Sequence, residues 1–464
     1  MENKHEVHGL KLWKLSWPLF VQLSLVYGIL LTDSFFLSRI SDNYVASIGA
    51  IFPVFCICYM LFNQVSQASV SVASQYIGGK KYDQVIPAYM TSVIIMTIIG
   101  FIVATAMLLF SDILAGLFGL SESNAQVASI YIKIVGSGLI FDSIKSAYTG
   151  ILSSKGKTKL IMVISIIYNL VNILLNSVFV FGIFGAPKIG VYGICIATVF
   201  SQFFAIVCFA TIVHLKEKIV FSFTILKGKF VVLTKQILNI GLPASIEPIS
   251  VQLQGVVMNI VVIGFGMAAM AAKTYAFNML ALISAWSVSI GVGTLIIVAH
   301  SVGAKEYNNA NKQLHSSIYL STAVSFSAVL ILTIFSKQIC GIFTTDPAMI
   351  DLVRNLFIIS AFCEPIKGVN IIVVYSLSSA GDSKYASIAG SIVMWVLGVP
   401  LCYILGVTMG LGLIGVWLGI TIDELLRCCV YYMRWRKRKW EKTGVLAKEE
   451  SYEEEIFDNT VLDC

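Results

Sequence analysis

Charge is what this 464-residue chain has least of. Asp, Glu, Lys and Arg together make up 12% of it, and only five residues are histidine. Soluble domains carry about 25% charged residues, so the deficit excludes a water-soluble globule of this length. Hydrophobic residues make up 57% and the mean hydropathy is +0.86, which equally excludes a disordered chain. There is no HExxH motif and no CxxC pair. The ten cysteines sit mostly inside apolar runs and read as small buried hydrophobes rather than a zinc site or disulfide framework. No metal or nucleophile constellation points to an enzyme.

Long apolar runs are what remains. A bilayer-spanning helix takes about 20 residues, and about twelve runs qualify: 13–38, 45–75, 88–111, 127–152, 160–184, 190–213, 237–264, 270–300, 316–336, 352–378, 385–407 and 410–432. They leave no room for a soluble catalytic domain. The first run is long and lacks a small-residue cleavage motif, so it reads as a retained helix rather than a signal peptide. The expected fold is an all-α polytopic membrane protein with no cofactor and no nucleic-acid partner.

Lysine and arginine set the expected orientation. With the N-terminus inside, lysines crowd the inner segments near 80, 155–159, 216–235, 305–312 and 384, and the outer loops hold only Arg39, Lys188, Lys337 and Arg354. The positive-inside rule places both termini in the cytoplasm and the chain in the cell's inner (plasma) membrane. The basic run Arg434–Lys439 reads as an anchor at the anionic inner leaflet, with Trp435 and Trp440 at the interface. The glutamates after it read as a solvated tail.

The two halves repeat. Tyr76-Ile-Gly78-Gly-Lys-Lys-Tyr82 matches Ser301-Val-Gly303-Ala-Lys-Glu-Tyr307 at an offset of 225. LSSKGKTK (152–159) matches LSSAGDSK (377–384), and Pro18 matches Pro243, at the same offset. Each half holds six helices, an even number, so both enter the membrane in one sense. That predicts two six-helix lobes related by a pseudo-two-fold axis along the membrane normal, suited to alternating access. The expected divisions are residues 1–214 for the first lobe, 215–236 for a cytoplasmic linker, 237–432 for the second lobe and 433–464 for a cytoplasmic tail.

With these features the sequence resembles the MATE (multidrug and toxic compound extrusion) family over nearly its full length. The resemblance is carried by PLFVQLSLVYGILLTDSFFLSRISDNYVASIGAI (18–51), ASQYIGGKKYDQ (73–84), YNLVNILLNSVFVFGIFGAPKIGVYGICIATVFSQ (168–202) and GLPASIEPI (241–249). It implies a secondary transporter that exports small organic, often cationic, compounds including drugs in exchange for protons or sodium ions. Two departures bear on coupling and substrate: His300 stands where the first-half counterpart is Gln75, and Glu364-Pro-Ile-Lys367 replaces the lone aspartate of one subgroup. A lipid-linked-sugar or peptide flippase, or a dedicated exporter, of the same superfamily is the competing reading. A flippase needs a strongly basic cavity, whereas the intramembrane charges noted here balance and the two without a helical-spacing partner are acids.

Ionisable groups inside a bilayer cost roughly 2.5–3.5 kcal/mol each, so each is a functional candidate. Asp33, late in the first span, and Glu247, near the middle of the seventh and framed by Pro243 and Pro248, lack basic neighbours at helical spacing. They are the candidates for proton or sodium coupling, and the only positions where a metal ion, Na+, is expected. Asp142/Lys145 and Glu364/Lys367, each at i, i+3, read as secondary or gating pairs. Asn169, Asn172 and Asn176 share one face of the fifth span and are candidates to line a substrate cavity. Lys133 and Lys273 read as snorkelling span-end lysines. The expected partners are small organic substrates and the bilayer, and the expected state is a monomer.

Overall fold

The computed structural model describes residues 10–341 and 346–451. Every element among them is helical. Twelve long helices follow one another: α1 Leu12–Ser38, α2 Asp42–Gly78, α3 Tyr82–Gly116, α4 Glu122–Ser154, α5 Thr158–Phe181, α6 Val191–Lys216, α7 Phe230–Ile263, α8 Met267–Gly303, α9 Tyr307–Ile334, α10 Pro347–Ser379, α11 Ser383–Thr408 and α12 Gly412–Arg436. Ten are long and apolar enough to cross a membrane. α1 and α12 complete the expected twelve.

In lipid, every backbone polar group must be satisfied inside its own segment, which is why apolar runs of this length become helices. Their outward faces carry large apolar side chains: on α3, Phe101, Ile102, Leu109 and Phe110 are all more than half exposed, the pattern of a lipid-facing surface. α8 is the opposite case, with 78% of its most apolar window buried. α4 breaks between Ser137 and Leu139, at Gly138. α11 carries two π-helical turns, 394–398 and 404–408, on either side of the helical turn that holds Pro400. Pro lacks the N–H that an α-helix interior needs.

The helices form two compact units. One holds the start of α1 through Phe20, Ser74–Lys81 and the described residues from Leu242 onward. The other holds Val21–Ala73 and Tyr82–Gly241. The expected lobe boundaries at 214 and 237 both fall inside the second of these.

In the unit that contains the C-terminal half, the sequence repeat becomes a reciprocal contact. A Cβ on Gly78 would sit 2.0 Å from the backbone oxygen of His300, and one on Gly303 would sit 2.0 Å from that of Gln75. The two glycines are repeat equivalents, as are Gln75 and His300. Each helix end thus crosses the other at a residue that must lack a side chain. Both helices then stop on a left-handed lysine, Lys80 and Lys305, each with φ of 60°.

The same unit seats the tail. Trp435 and Trp440 are fully buried and stacked, with centroids 4.1 Å apart. They fill a packed core with Tyr431, Leu377 and Leu314 and do not sit at an interface as expected. Their indole N–H groups find internal acceptors, Asn311 Oδ1 and the Trp435 carbonyl, which removes the cost of burying them. Of the tail glutamates, Glu453, Glu454 and Glu455 lie outside the described residues, and Glu449 and Glu450 are partly exposed but ion-paired, with Lys81 at 3.2 Å and Lys305 at 2.8 Å.

Candidate functional site

Buried charges occur in both units. In the unit built around α2–α6, Asp33 of α1 is 6% exposed. Asn176 on α5 donates to its Oδ1 at 2.8 Å, and Thr198 on α6 donates to its Oδ2 at 3.3 Å. Asn176 Nδ2 also reaches Asn172 Oδ1 at 3.2 Å. No Lys or Arg pairs with Asp33 among the described residues. The 3–4 spacing puts Asn169, Asn172 and Asn176 on the buried face of α5, as expected, but only Asn176 touches Asp33. Asn169 turns back on its own helix, to the Ser165 carbonyl at 2.7 Å. Asn176 Oδ1 is buried without a hydrogen-bond partner. A carboxylate therefore lies among neutral amide and hydroxyl groups, with a spare acceptor oxygen beside it.

Asp142 and Lys145 are ion-paired on one face of α4, as their i, i+3 spacing predicts. The Lys145 ammonium lies 5.3 Å from the centre of the Tyr168 ring.

In the other unit, Glu247 is 8% exposed, but it is not unpaired. Arg427 of α12 reaches its Oε1 at 3.3 Å, and the Tyr431 hydroxyl donates to the same oxygen at 2.6 Å. This corrects the sequence reading, which searched for a partner only along α7; the partner is 180 residues away. Arg427 also pairs with Asp423 at 3.0 Å and Glu424 at 2.6 Å. Sequence reading passed over all three α12 charges, so the expected balance of intramembrane charge does not hold here: this cluster has three acids and one base. The signal was available, since Asp423 and Glu424 precede Arg427 by four and three residues, the spacing used to find the pairs on α4 and α10. α10 contributes Asn370, which donates to Glu424 Oε2 at 2.6 Å.

Glu364 and Lys367 pair at 3.4 Å, and Ser284 of α8 bridges them, accepting from Lys367 at 2.7 Å and donating to Glu364 at 3.1 Å. Lys133 is paired with Asp112 at 3.0 Å in an exposed setting, and Lys273 donates to Asn259. Outside the spans, the nearly buried carboxylate of Glu217 is clamped by Lys155 and Lys157. Burial pushes its pKa up, but the two ammonium groups outweigh that and hold it below the ordinary glutamate value.

The MatE family profile matches residues 18–178 and 243–404, once in each half. The chain is 28% identical over 434 residues to the uncharacterized transporter YisQ of Bacillus subtilis, covering 94% of this chain and 95% of that one. It is 26% identical over 432 residues to the probable multidrug resistance protein NorM of Thermotoga maritima, covering 92% and 91%. An outward-facing multidrug resistance MATE transporter structure superposes with a TM-score of 0.85 at 22% identity, over 96% of this chain and all of that one. A Pyrococcus furiosus transporter of the MOP superfamily, described as having a binding pocket of reversed polarity and a different function, superposes with 0.82 at 21% identity, over 96% and 99%. One fold thus serves pockets of different charge, and substrate must be argued from the site. The repeat, the twelve helices and these likenesses agree: the chain is a multi-pass membrane protein that belongs to the MatE family of transporters.

Proposed function

We propose that this protein exports small organic cations, drugs among them, from the cytoplasm across the plasma membrane, driven by the inward movement of a proton or sodium ion through alternating access. Both termini lie in the cytoplasm in this reading, supported by the lysine asymmetry of the loops. The similarity to relatives named as probable multidrug resistance proteins supports the substrate class.

The observation that carries the reading is Asp33. A buried carboxylate held only by neutral donors has an unmet demand for positive charge. A proton meets it by neutralising the acid. Sodium meets it with the carboxylate and amide oxygens as ligands, the donors that hard cations prefer. Asn172 and Asn176 supply such oxygens next to Asp33. Glu247 is the candidate coupling acid of the other unit, at a position that is not the repeat equivalent of Asp33. An organic cation and the coupling ion that share an acid exclude one another, which is the condition for exchange.

The test is efflux of a fluorescent organic cation from proteoliposomes under separately imposed pH and sodium gradients. Transport should follow one gradient and vanish in Asp33→Asn. Efflux that needs neither gradient would overturn the coupled mechanism.

A further inference from the structure

One guanidinium serves three carboxylates in the α7–α10–α12 cluster, and it serves them unequally. Arg427 is 4% exposed. Its Nη2 lies 2.6 Å from Glu424 and 3.0 Å from Asp423, both on its own helix. Its Nη1 lies 3.3 Å from Glu247 on α7, the longest of the three contacts. The α12 partners are fixed in place. Asn370 donates to both the side chain and the backbone carbonyl of Glu424. Asp423 packs against Gly398, where a Cβ would fall 2.5 Å from its Oδ1. Glu247 keeps a second donor, Tyr431, that does not depend on Arg427. On α10, Glu364 and Lys367 neutralise each other and leave the balance unchanged.

We propose that Arg427 is a tethered counter-cation: it occupies Glu247 while no coupling ion is bound, and withdraws onto Asp423 and Glu424 when one arrives. This rests on reading Glu247 as a coupling acid. An uncompensated buried charge is costly, so an ion pair inside a membrane protein can be exchanged but not simply broken. Arg427 can leave Glu247 and still keep two carboxylates. Both Arg427 contacts to Asp423 are at Oδ2, through Nη2 at 3.0 Å and Nε at 3.2 Å. Its Oδ1 is thus not held by the guanidinium, and the seat keeps an acceptor toward which the guanidinium can turn. A planar guanidinium can hold several carboxylates through different nitrogens, which a lysine ammonium does less well. The guanidinium and the incoming ion compete for the same Glu247 oxygen, so Arg427 sets the apparent affinity for that ion.

The variants are predicted to act in opposite directions. In proteoliposomes loaded with ethidium, the half-saturating coupling ion is read by varying external sodium at fixed pH and pH at fixed sodium. Arg427→Lys weakens the tether and lowers that concentration by about tenfold. Asp423→Asn and Glu424→Gln weaken the seat, keep the guanidinium on Glu247 and raise it several-fold. Glu364→Gln combined with Lys367→Gln, which removes, without stranding a charge, a neighbouring ion pair that Arg427 does not hold, controls for general disturbance of the cluster and should have a smaller effect. In a Glu247→Gln background none of the cluster variants should shift the residual profile. If Glu247→Gln abolishes coupling but Arg427→Lys gives no shift, or shifts with the acid variants, the tether is wrong and the role of Glu247 stands. If Glu247→Gln couples like the wild type, both fall. Should Arg427→Lys not fold, the single Asp423 and Glu424 variants decide: no change, a fall, or a rise no larger than that of the Glu364→Gln, Lys367→Gln double variant overturns the tether.

Discussion

At the scale of single residues, a buried acid matters through what surrounds it. Asp33 meets only neutral donors, so Asp33→Asn removes a charge without leaving a lysine or arginine behind. The variant is expected to insert and purify like the wild type, with coupled efflux reduced at least about tenfold, an energy of about 1.4 kcal/mol. Wild-type efflux by a well-folded Asp33→Asn would remove this residue from the mechanism. Glu217 makes the contrasting case. Its carboxyl is held below the usual range by Lys155 and Lys157 against the effect of burial. Its clamp therefore stabilises the fold fully above the unfolded glutamate pKa of about 4.5 and is lost as pH falls through the depressed folded value. Glu217→Gln should lower thermal stability at neutral pH by about 1.5–3 kcal/mol, and the gap to wild type should close in acid. A gap that stays constant with pH would assign the effect to packing. Legibility follows the same lines. Asp33, Glu247 and the two i, i+3 pairs stood out because charge is rare in apolar windows. The guanidinium on Glu247 could not be seen from α7, because only tertiary structure brings α12 to it.

At the scale of elements, the repeat was legible as spacing but not as contact. The apolar runs give the helix count and the matching motifs the equivalence of Gly78 with Gly303; that each meets the other's helix is a property of the packed structure. The obstacle to a side chain at either position is backbone oxygen, which cannot rotate away. Gly78→Ala and Gly303→Ala are each expected to cost at least about 1–3 kcal/mol, the usual penalty of overpacking, seen as a lower unfolding temperature in detergent. Ala variants as stable as wild type would show that the helix ends do not cross this closely. The α10 pair yields a prediction of a different kind. Glu364→Ala and Lys367→Ala each strand a charge, and Ser284, which both side chains contact, cannot replace it. Each single change should cost about 3–5 kcal/mol, and the double change to uncharged residues far less. A double variant as unstable as the singles would mean that the pair holds the fold by packing. The π-helical turns of α11 and the break in α4 were not legible, because the hydropathy of a run says how long a helix is and not where its ladder slips.

At the scale of the whole molecule, the tail is where packing adds what a local reading lacks: Trp435 and Trp440 are buried in the core while Arg436–Lys439 stay exposed. A basic run beside the last span followed by glutamates looks like an anchor and a solvated end when taken alone. In the structure Val445 and Leu446 are buried, the Val445 amide donates to Gln75 Oε1 at 2.7 Å, and the Thr443 hydroxyl donates to the Ala380 carbonyl at 2.9 Å. The tail therefore closes over the ends of α2 and α10, and two kinds of force hold it there. The Lys305–Glu450 pair is about half exposed, a setting worth about 0–1 kcal/mol and weakened by salt. Burying a Val and a Leu side chain is worth about 1.5–3 kcal/mol each and is not screened. The apolar contacts should dominate. Removing residues from Val445 onward is expected to lower the unfolding temperature by several degrees, equally at low and high salt. Glu450→Gln should change it by no more than about 1 kcal/mol in stability, and only at low salt. If high salt alone reproduced the effect of truncation, the tail would be held by its charges. The reading of Val445 and Leu446 as part of the core would then be wrong.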